Sequence, residues 1–393
     1  MVSAVNPLRP PAAAAHDAVA AARALAPQFA ARAAVHDRDG SFPFENFAAL
    51  AEAGLLALTV PVPLGGGGAA AGEVARVLNV VAEADPSTAL VLAMHYVQHL
   101  VMATSDRYPA HLVRKLARES VEGIALINAL RVEPDLGSPS RGGLPATVAR
   151  RTATGWRLTG RKIYSTGAPI LKWYMVWVRT DEPEVRVGQL LVPADRPGIR
   201  IVETWDHLGL RASGSHDVVF EDVLVPLDHE IDLRPPADWQ APDPFQQAIH
   251  GLVIAAIYDG VARAAQGWLK QFLAHRVPSN LGAPLATLPR VQEAVGDGEV
   301  KLALNRRLIE SFAADIDAGA ALEASEAAIL KLAVTSNAVA VVEGALALAG
   351  NHGLSRTNPL ERHYRDVLCG RVHTPQDDST RLAAGRAALS QQK

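Results

Sequence analysis

Apolar residues recur every three to four positions through residues 12–122, in stretches such as HDAVAAARALAPQFAARAAVHDR and AGEVARVLNVVAEAD. This spacing keeps apolar side chains on one face of an α-helix, so the pattern predicts several short amphipathic helices. Turn-forming sequences such as DRDGSFP and PVPLGGGGAA separate these stretches, and they predict loops between the helices. We therefore predict an N-terminal helical domain over residues 1–122.

The pattern changes to short β-type runs over residues 123–232, among them KWYMVWVRT, VGQLLVP and HDVVFEDVLVP. β-branched and aromatic residues bounded by Gly, Asp and Pro predict a middle β-domain. After the proline-rich segment LRPPADWQAPDPF, helical spacing returns in three long pieces at residues 246–275, 288–319 and 324–348. Such lengths are typical of long antiparallel helices, and we predict a C-terminal helical bundle over residues 233–393.

Length and composition limit the class of protein. The chain has 393 residues, whereas a single hydrophobic core stops growing near roughly 250–300 residues, so several packed domains are expected. It is 49% hydrophobic and 20% charged with a net charge of −3, which is typical of a soluble globular protein and predicts no nucleic-acid partner.

The single cysteine, Cys369, excludes an internal disulfide and a cysteine-cluster metal site, and we expect no bound metal. Prolines and charges interrupt the alanine-rich N-terminal stretch, so we predict a cytoplasmic protein with no membrane association.

Four further stretches carry chemistry: VEPDLGS at 132–138, GWRLTGRKIYSTGA at 155–168, HLGLRASGSHDVVFEDVLVP at 207–226 and LAGNHGLSRTNPLERHYRD at 348–366. In this order and spacing they resemble the acyl-CoA dehydrogenase superfamily, as does the N-terminal FPFENFAALAEAGLLALTVPVPLGGGG. The resemblance implies an α+β fold with an N-terminal helical domain, a middle β-barrel-like domain and a C-terminal four-helix bundle. It also implies a bound flavin, FAD or FMN, in a homotetramer.

An isoalloxazine ring needs an aromatic wall and a few fixed hydrogen-bonding groups. Tyr164 matches the family's ring-stacking aromatic residue, and Thr166 matches the hydroxyl that bonds the flavin N5. Taken alone, both residues also fit ordinary strand positions. Val132 departs from the family pattern, which has Thr or Ser before the Glu-Pro pair, so one side-chain hydrogen bond to the flavin is expected to be absent. Ser138 matches a small hydroxyl at the substrate mouth, with a turn or capping role as the alternative.

Arg276 matches the arginine that reaches the FAD diphosphate of a neighbouring subunit, because a guanidinium forms charge-assisted bonds to phosphate. The residues that follow, VPSNLGAPL, depart from the family, which leaves FMN as an alternative to FAD. A surface charge at a helix end is the alternative role for Arg276. The resemblance adds four further residues to the expected flavin contacts: Asn128, Ser165, Gly350 and Asn351.

The family's dehydrogenases need a carboxylate over the substrate carbon, because this group removes the α-proton. By the family spacing, the base falls at Thr374 or, in the second arrangement, at His250, and neither residue is acidic. A shifted carboxylate at Asp377 or Asp378 is the alternative. The sequence therefore keeps the expected flavin motifs and lacks the expected base.

Three histidines remain around the expected flavin: His373 beside the lost base position, His250 at the second base position, and His95 on a predicted N-terminal helix. This pattern resembles the dibenzothiophene monooxygenase-like branch of the superfamily, in which a histidine lies near the flavin. Histidine titrates near neutral pH, so it is suited to hold and protonate an oxygen species, whereas a glutamate would place like charge beside an anion. A structural role stays open for each of the three.

These patterns predict a flavin-dependent oxidoreductase, and within that class a monooxygenase that uses reduced flavin, O2 and a small organic substrate. No Gly-rich nicotinamide-binding motif joins a predicted strand to a helix, so a separate flavin reductase is the expected partner. Two alternatives stay open. One is an acyl-CoA or acyl-carrier-protein dehydrogenase with a displaced base, and the other is a catalytically silent member that binds a partner or an acyl ligand.

Overall fold

The computed structural model describes residues 17–136, 143–239 and 243–390. Its N-terminal part is helical, as the three-to-four spacing predicts. The first helix begins where the Asp17 side chain accepts a hydrogen bond from the backbone N–H of Ala20, which satisfies one free donor of the first turn. The N-terminal helices are α1 (Ala18–Asp39), α2 (Phe44–Glu52), α3 (Ala71–Ala84), α4 (Pro86–Thr104) and α5 (Ala110–Glu122).

The middle part is a sheet that curls around its own core. Its eight strands are β1 (Leu126–Leu130), β2 (Val148–Arg151), β3 (Trp156–Lys162), β4 (Leu171–Thr180), β5 (Val187–Pro193), β6 (Ile199–Val202), β7 (Asp217–Val225) and β8 (Glu230–Arg234). The strand order is β6-β7-β3-β2-β4-β5-β8, and β1 lies parallel to β4. In that register Asn128 lies opposite Tyr174, which brings the end of β1 beside the middle of β4.

The C-terminal part contains three long helices, in close agreement with the predicted ranges. Asp243 caps the first of them by accepting a hydrogen bond from Gln246, and Pro244 occupies the first helical position. The helices are α6 (Pro244–His275), α7 (Pro289–Asp317), α8 (Ala324–Ala349), α9 (Asn351–Leu354), α10 (Leu360–Leu368) and α11 (Asp377–Ser390). Within the described residues three of these helices are long, and α3, α4 and the shorter α10 also pack around α6.

One hydrophobic core runs through all three parts, with α6 at its centre against α3, α4, α7 and α8. A smaller cluster lies under the other face of β1 and β4, where Ile127, Trp173 and Met175 pack on Leu112 and Leu116 of α5. Two helices, α6 and most of α8, are long and apolar enough to cross a membrane by composition. The apolar window of α6 is 83% buried inside the protein, so core packing accounts for its hydrophobicity.

Candidate active site

An exposed aromatic wall forms just after β3. Tyr164 has a left-handed backbone with φ of 55°, and its ring is 52% exposed. It meets Trp205 and His207 edge-on, with ring centroids 6.2 and 5.8 Å away, and those two rings stack on each other at 3.7 Å. The three rings border a cavity of about 200 Å³ that Ser215 and Asp217 also line. A wall of this kind suits the flat face of a flavin ring.

Polar groups converge beside this wall. The Thr166 and Ser215 hydroxyls are 3.0 Å apart, and the Asn128 amide donates to the Thr166 carbonyl at 3.0 Å. The backbone N–H of Ala129 donates in turn to Asn128 at 2.7 Å, which fixes the orientation of the amide. Ser165 is 1% exposed, and its hydroxyl has no hydrogen-bond partner among the described residues. Buried polar groups are normally paired, so the orphaned hydroxyl points to a ligand at this place.

The Glu-Pro turn after β1 is held by a buried ion pair. Burial opposes ionisation of Glu133, yet the Lys162 ammonium at 2.6 Å and the Thr147 hydroxyl lower its pKa below the usual value. Burial also lowers the pKa of Lys162 to about 8, against the opposing effect of Glu133. Glu133 is therefore structural. The carbonyl of Val132 accepts a hydrogen bond from Ile163 at 3.0 Å, so the turn abuts the Tyr164 segment, whereas Ser138 lies outside the described residues.

The loop between α10 and α11 meets α6 at a pair of histidines. The Nδ1 of half-buried His373 is 2.6 Å from the hydroxyl of Tyr258, which is fully buried on α6. His250 lies about two turns earlier on the same helix, and the backbone of Thr374 lies close enough to its ring to favour the protonated form, against the larger effect of burial on its pKa. The structure thus brings His373, His250 and Thr374 together, and it adds Tyr258 to the group.

Both histidines are neutral at pH 7. Burial and the neighbouring Arg131 and Lys331 lower the pKa of His250 to about 4. Burial, together with His250 and Lys331, lowers the pKa of His373 to about 3. This corrects the expectation that these histidines titrate near neutral pH, because their surroundings disfavour the imidazolium. Burial also raises the pKa of Tyr258 well above its usual value, so its hydroxyl keeps its proton.

The two carboxylates considered as displaced bases are engaged elsewhere. Asp377 accepts a hydrogen bond from the ammonium of fully buried Lys331 at 3.1 Å. Asp378 is exposed and accepts a hydrogen bond from the backbone N–H of Ser379 at 2.8 Å. Asp377 is held in the ion pair with Lys331 and is not free to contact a substrate, so this geometry does not favour it as the base.

His95 has a structural place instead of the predicted catalytic one. It is fully buried on α4. Its Nε2 is 2.8 Å from the Leu56 carbonyl, and its Nδ1 accepts a hydrogen bond from the backbone N–H of Ile127 at 3.2 Å. Burial lowers its pKa to about 4. With both nitrogens bonded to backbone and no exposed atom to meet a substrate, His95 joins α4 to β1 and the catalytic prediction is corrected.

Three predicted flavin contacts lie on the outer surface of the C-terminal helices. Arg276 directly follows α6, Gly350 follows α8, and Asn351 begins α9, and all three are exposed. The side chains of Arg276 and Asn351 have no hydrogen bond to any residue in the described part of the chain. Their roles as flavin contacts stay predictions, and they are free for a partner or a ligand.

A larger cleft of about 710 Å³ lies between α1, α3, α6 and α7. Its walls combine apolar side chains with paired charges, such as Arg263 with Asp259 at 2.6 Å. None of the predicted site residues lines this cleft, so we do not place the flavin there.

Family models match nearly the whole chain, part by part. The acyl-CoA dehydrogenase N-terminal domain matches residues 15–120, the middle domain 131–223 and the C-terminal domain 252–377. The fold described above has the same order of helical part, curled sheet and helical part. This chain belongs to the acyl-CoA dehydrogenase family, which confirms the predicted fold class.

Individual relatives carry two kinds of name, acyl-CoA dehydrogenase and nitrososynthase. YdbM of Bacillus subtilis, provisionally named an acyl-CoA dehydrogenase, is 34% identical over 92% of this chain and 94% of its own length. L-Evernosamine nitrososynthase of a Micromonospora species is 31% identical over 92% of this chain and 87% of its own. The solved complex of KijD3 with FMN and dTDP-3-amino-2,3,6-trideoxy-4-keto-3-methyl-D-glucose has a TM-score of 0.83 at 29% identity, covering 98% of this chain and 97% of KijD3.

Sequence reasoning missed the Trp205–His207 stack, Tyr258 and the charged side chain of Arg131. Tyr258 follows His250 by eight residues, a spacing that places both on one face of a helix, so helical periodicity alone was enough to find it. Arg131 stands directly before the Val132 position already singled out. Nothing in the sequence indicated that its charge is unpaired, since pairing depends on residues far along the chain.

Proposed function

We propose that this protein is a flavin-dependent monooxygenase that uses reduced flavin and O2 to oxidise a small organic substrate. The observation that carries the proposal is the chemistry at the two base positions of the family. These positions hold Thr374 and His250, with His373 beside them, and the nearby carboxylate of Asp377 is paired with Lys331. A dehydrogenase needs a free carboxylate to abstract a proton from an acyl thioester, and neither position has one.

The residues around the aromatic wall fit a flavin. The exposed Tyr164 ring offers an apolar face, and the buried Ser165 hydroxyl lacks a partner among the described residues. Thr166 and the oriented amide of Asn128 add polar groups along one edge. When bound, reduced flavin supplies the electrons that activate O2. These four residues would hold and orient the ring.

In this proposal His373 supplies a neutral donor to the reacting oxygen. Tyr258 keeps its proton because burial raises its pKa well above the usual value. With the Tyr258 hydroxyl as donor to Nδ1 at 2.6 Å, the proton of the neutral imidazole is on Nε2. That N–H is then available to an anionic oxygen species, which a carboxylate at the same place would repel. The nitrososynthase relative at 31% identity supports a flavin-dependent oxidation other than acyl-CoA dehydrogenation.

The second candidate is an acyl-CoA dehydrogenase, and the 34% identity to YdbM favours it. It requires Asp377 to leave Lys331 when substrate binds. Anaerobic addition of butyryl-CoA to the flavin-loaded protein separates the candidates. We expect no loss of the visible flavin absorbance, whereas bleaching that disappears in Asp377→Asn would establish the dehydrogenase.

The direct test of the monooxygenase uses isotopically labelled O2. The flavin-loaded protein is incubated with NADH, an unrelated flavin reductase and a panel of probes with nitrogen, sulfur or aromatic carbon to oxidise: an amino sugar, benzothiophene and indole. We expect labelled oxygen in at least one product, and none when the reductase is omitted. Release of all reducing equivalents as hydrogen peroxide with every probe would count against the proposal.

We propose a homotetramer and a separate flavin reductase as the partners of this enzyme. On α7, Val300, Leu304 and Leu308 are 59, 54 and 40% exposed and recur every four residues, so they form an apolar stripe on one helix face. A second subunit packed on this stripe would remove it from water. Light scattering during size-exclusion chromatography is expected to give four chains per particle, and Leu304→Glu is expected to give smaller particles.

A further inference from the structure

Arg131 carries a charge that forms no ion pair with any residue in the described part of the chain. It follows β1 directly, and its guanidinium carbon lies 4.8 Å from the ring centroid of Trp177 on β4. Its Nε is shielded from solvent and has no hydrogen-bond partner among the described residues. The guanidinium lies over the indole ring, and its N–H donors form no hydrogen bond within the described part of the chain.

Within the described ranges Arg131 forms no ion pair. Glu133, two residues further along the chain, is paired with Lys162 at 2.6 Å. Asp232 and Asp243, which act electrostatically on the neighbouring Tyr108, are engaged as well. Asp232 pairs with Arg234 at 2.9 Å, and Asp243 caps α6 by accepting from Gln246 at 3.1 Å.

Arg186 shows the usual arrangement, in which a guanidinium near an indole ring is also paired with carboxylates. Arg186 lies 5.7 Å from the ring centroid of Trp156, and it is paired with Glu182 and Glu230, each at 2.9 Å. A partly buried guanidinium without such partners costs free energy, because desolvation is not offset by an opposite charge. Burial accordingly lowers the pKa of Arg131 below its usual value, although an arginine stays charged at pH 7.

Arg131 lies next to the Tyr164 segment, because the carbonyl of the following residue, Val132, accepts a hydrogen bond from Ile163 at 3.0 Å. Arg131 is close enough to His250 to help lower its pKa, and it also acts on Lys162 beside the Tyr164 segment. Tyr108, from the turn between α4 and α5, lies near it. Burial raises the pKa of Tyr108 to about 12, so its hydroxyl remains a neutral hydrogen-bond group. The charge of Arg131 is therefore felt both by His250 and by the Tyr108 hydroxyl.

We propose that Arg131, with Tyr108 beside it, binds an anionic group of the substrate, a carboxylate or a phosphate. The proposal rests on the proposed function only in placing substrate at this site, and it adds the chemical class of that substrate. A planar guanidinium stacked on an indole matches the two oxygens of such a group. The anion supplies the missing opposite charge and positions the remainder of the substrate toward His250 and His373.

The test measures binding without turnover. Isothermal titration of the oxidised, flavin-loaded protein with phenyl phosphate and with benzoate separates the two sources of anion, and benzyl alcohol is the neutral probe. We expect one of the anions to bind one per chain and benzyl alcohol to bind more weakly. Arg131→Met, which keeps the apolar length of the side chain, is expected to weaken anion binding by roughly 10- to 100-fold, the range of a charge-assisted bond. Arg186→Met is the matched control, and it is expected to leave anion binding unchanged.

Two further measurements distinguish anion binding by Arg131 from a structural role and from flavin binding. Without ligand, Arg131→Met is expected to keep or raise the melting temperature, because it removes an unpaired charge. A large fall in that temperature would make Arg131 a structural residue and overturn the proposal. Weaker flavin binding in Arg131→Met with unchanged phenyl phosphate and benzoate binding would assign the guanidinium to the flavin, which also overturns it. Since no O2 chemistry is involved, anion binding that survives a failed labelled-oxygen assay separates this proposal from the proposed function.

Discussion

At the scale of single residues, the site is defined by which charges are neutralised. His250 and His373 are neutral because burial lowers the pKa of each far below 6.5. Asp377 neutralises Lys331 at 3.1 Å, whereas Arg131 has no such partner in the described chain. The site therefore offers neutral donors and one free cation, a combination suited to anionic ligands and not to proton abstraction by a carboxylate.

The Tyr258–His373 bond is tested by Tyr258→Phe. Loss of the hydroxyl leaves Nδ1 of His373 without its donor, so we expect a loss of about 1–3 kcal/mol in the free energy of unfolding. We also expect His373 to lose its fixed tautomer and the oxygen reaction of the reduced flavoprotein to change. Urea unfolding and rapid-mixing oxidation measure the two effects.

Tyr174→Phe is the matched control for that substitution. Tyr174 is equally buried, but its hydroxyl reaches only the Ala168 carbonyl at 3.4 Å. We expect a smaller loss of stability and no change in the oxygen reaction. Equal effects of the two substitutions on the oxygen reaction would show that the Tyr258 hydroxyl has no specific role in that reaction.

At the scale of elements, α6 is the support of the site because it carries both His250 and Tyr258. It approaches α3 at Gly260, where a Cβ would lie 2.6 Å from the carbonyl oxygen of Asn79 and 2.8 Å from the Cβ of Ala82. The absence of a side chain at this position therefore sets the spacing of α3 and α6.

Gly260→Ala is expected to lower the free energy of unfolding by about 1–3 kcal/mol, because the two helices must separate to admit the methyl group. Gly267→Ala in the same helix is the control, since nothing lies within 4 Å of its added Cβ. That change is expected to be neutral or to stabilise by up to about 1 kcal/mol through helix propensity. Thermal unfolding of both variants measures the difference, and equal melting temperatures would show that α3 adapts.

The elements were largely predictable from the sequence, and the contacts between them were not. The three long helical stretches appear at the expected positions because apolar spacing over 25 or more residues fixes a helix face. The two positions that family spacing singled out, His250 and the neighbour of His373, lie together, since His250 helps to lower the pKa of His373. The expectation for His95 rested on its helix alone, and its structural role depends on bonds to Leu56 and Ile127, residues distant in sequence.

At the scale of the whole molecule, buried neutral histidines make stability depend on pH. His95, His250, His363 and His373 have pKa values lowered to about 4, 4, 3 and 3. Between pH 6.5 and those values the unfolded chain binds more protons than the folded one, so stability falls as the pH falls. Three carboxyl groups act in the opposite direction, because burial raises the pKa of Glu83, of Asp85 and of Asp366, the last to about 7. The four histidines outnumber them.

We therefore expect the urea midpoint to fall as the pH is lowered from 7 to 5, with each such histidine contributing up to about 1.4 kcal/mol per pH unit. His363→Leu removes one of these groups, whose Nδ1 has no partner in the described chain, and is expected to reduce the slope. A midpoint that is flat or rises toward pH 5 would contradict the assignment of these histidines as neutral.

The central claim is that a histidine site on the acyl-CoA dehydrogenase fold supports reaction of reduced flavin with O2. The most direct measurement is rapid mixing of the photoreduced, flavin-loaded protein with O2 while the absorbance spectrum is recorded. The account predicts a transient spectrum distinct from those of reduced and oxidised flavin, with a shorter lifetime in His373→Ala. Conversion to oxidised flavin in a single step, at the same rate in both proteins, would contradict it.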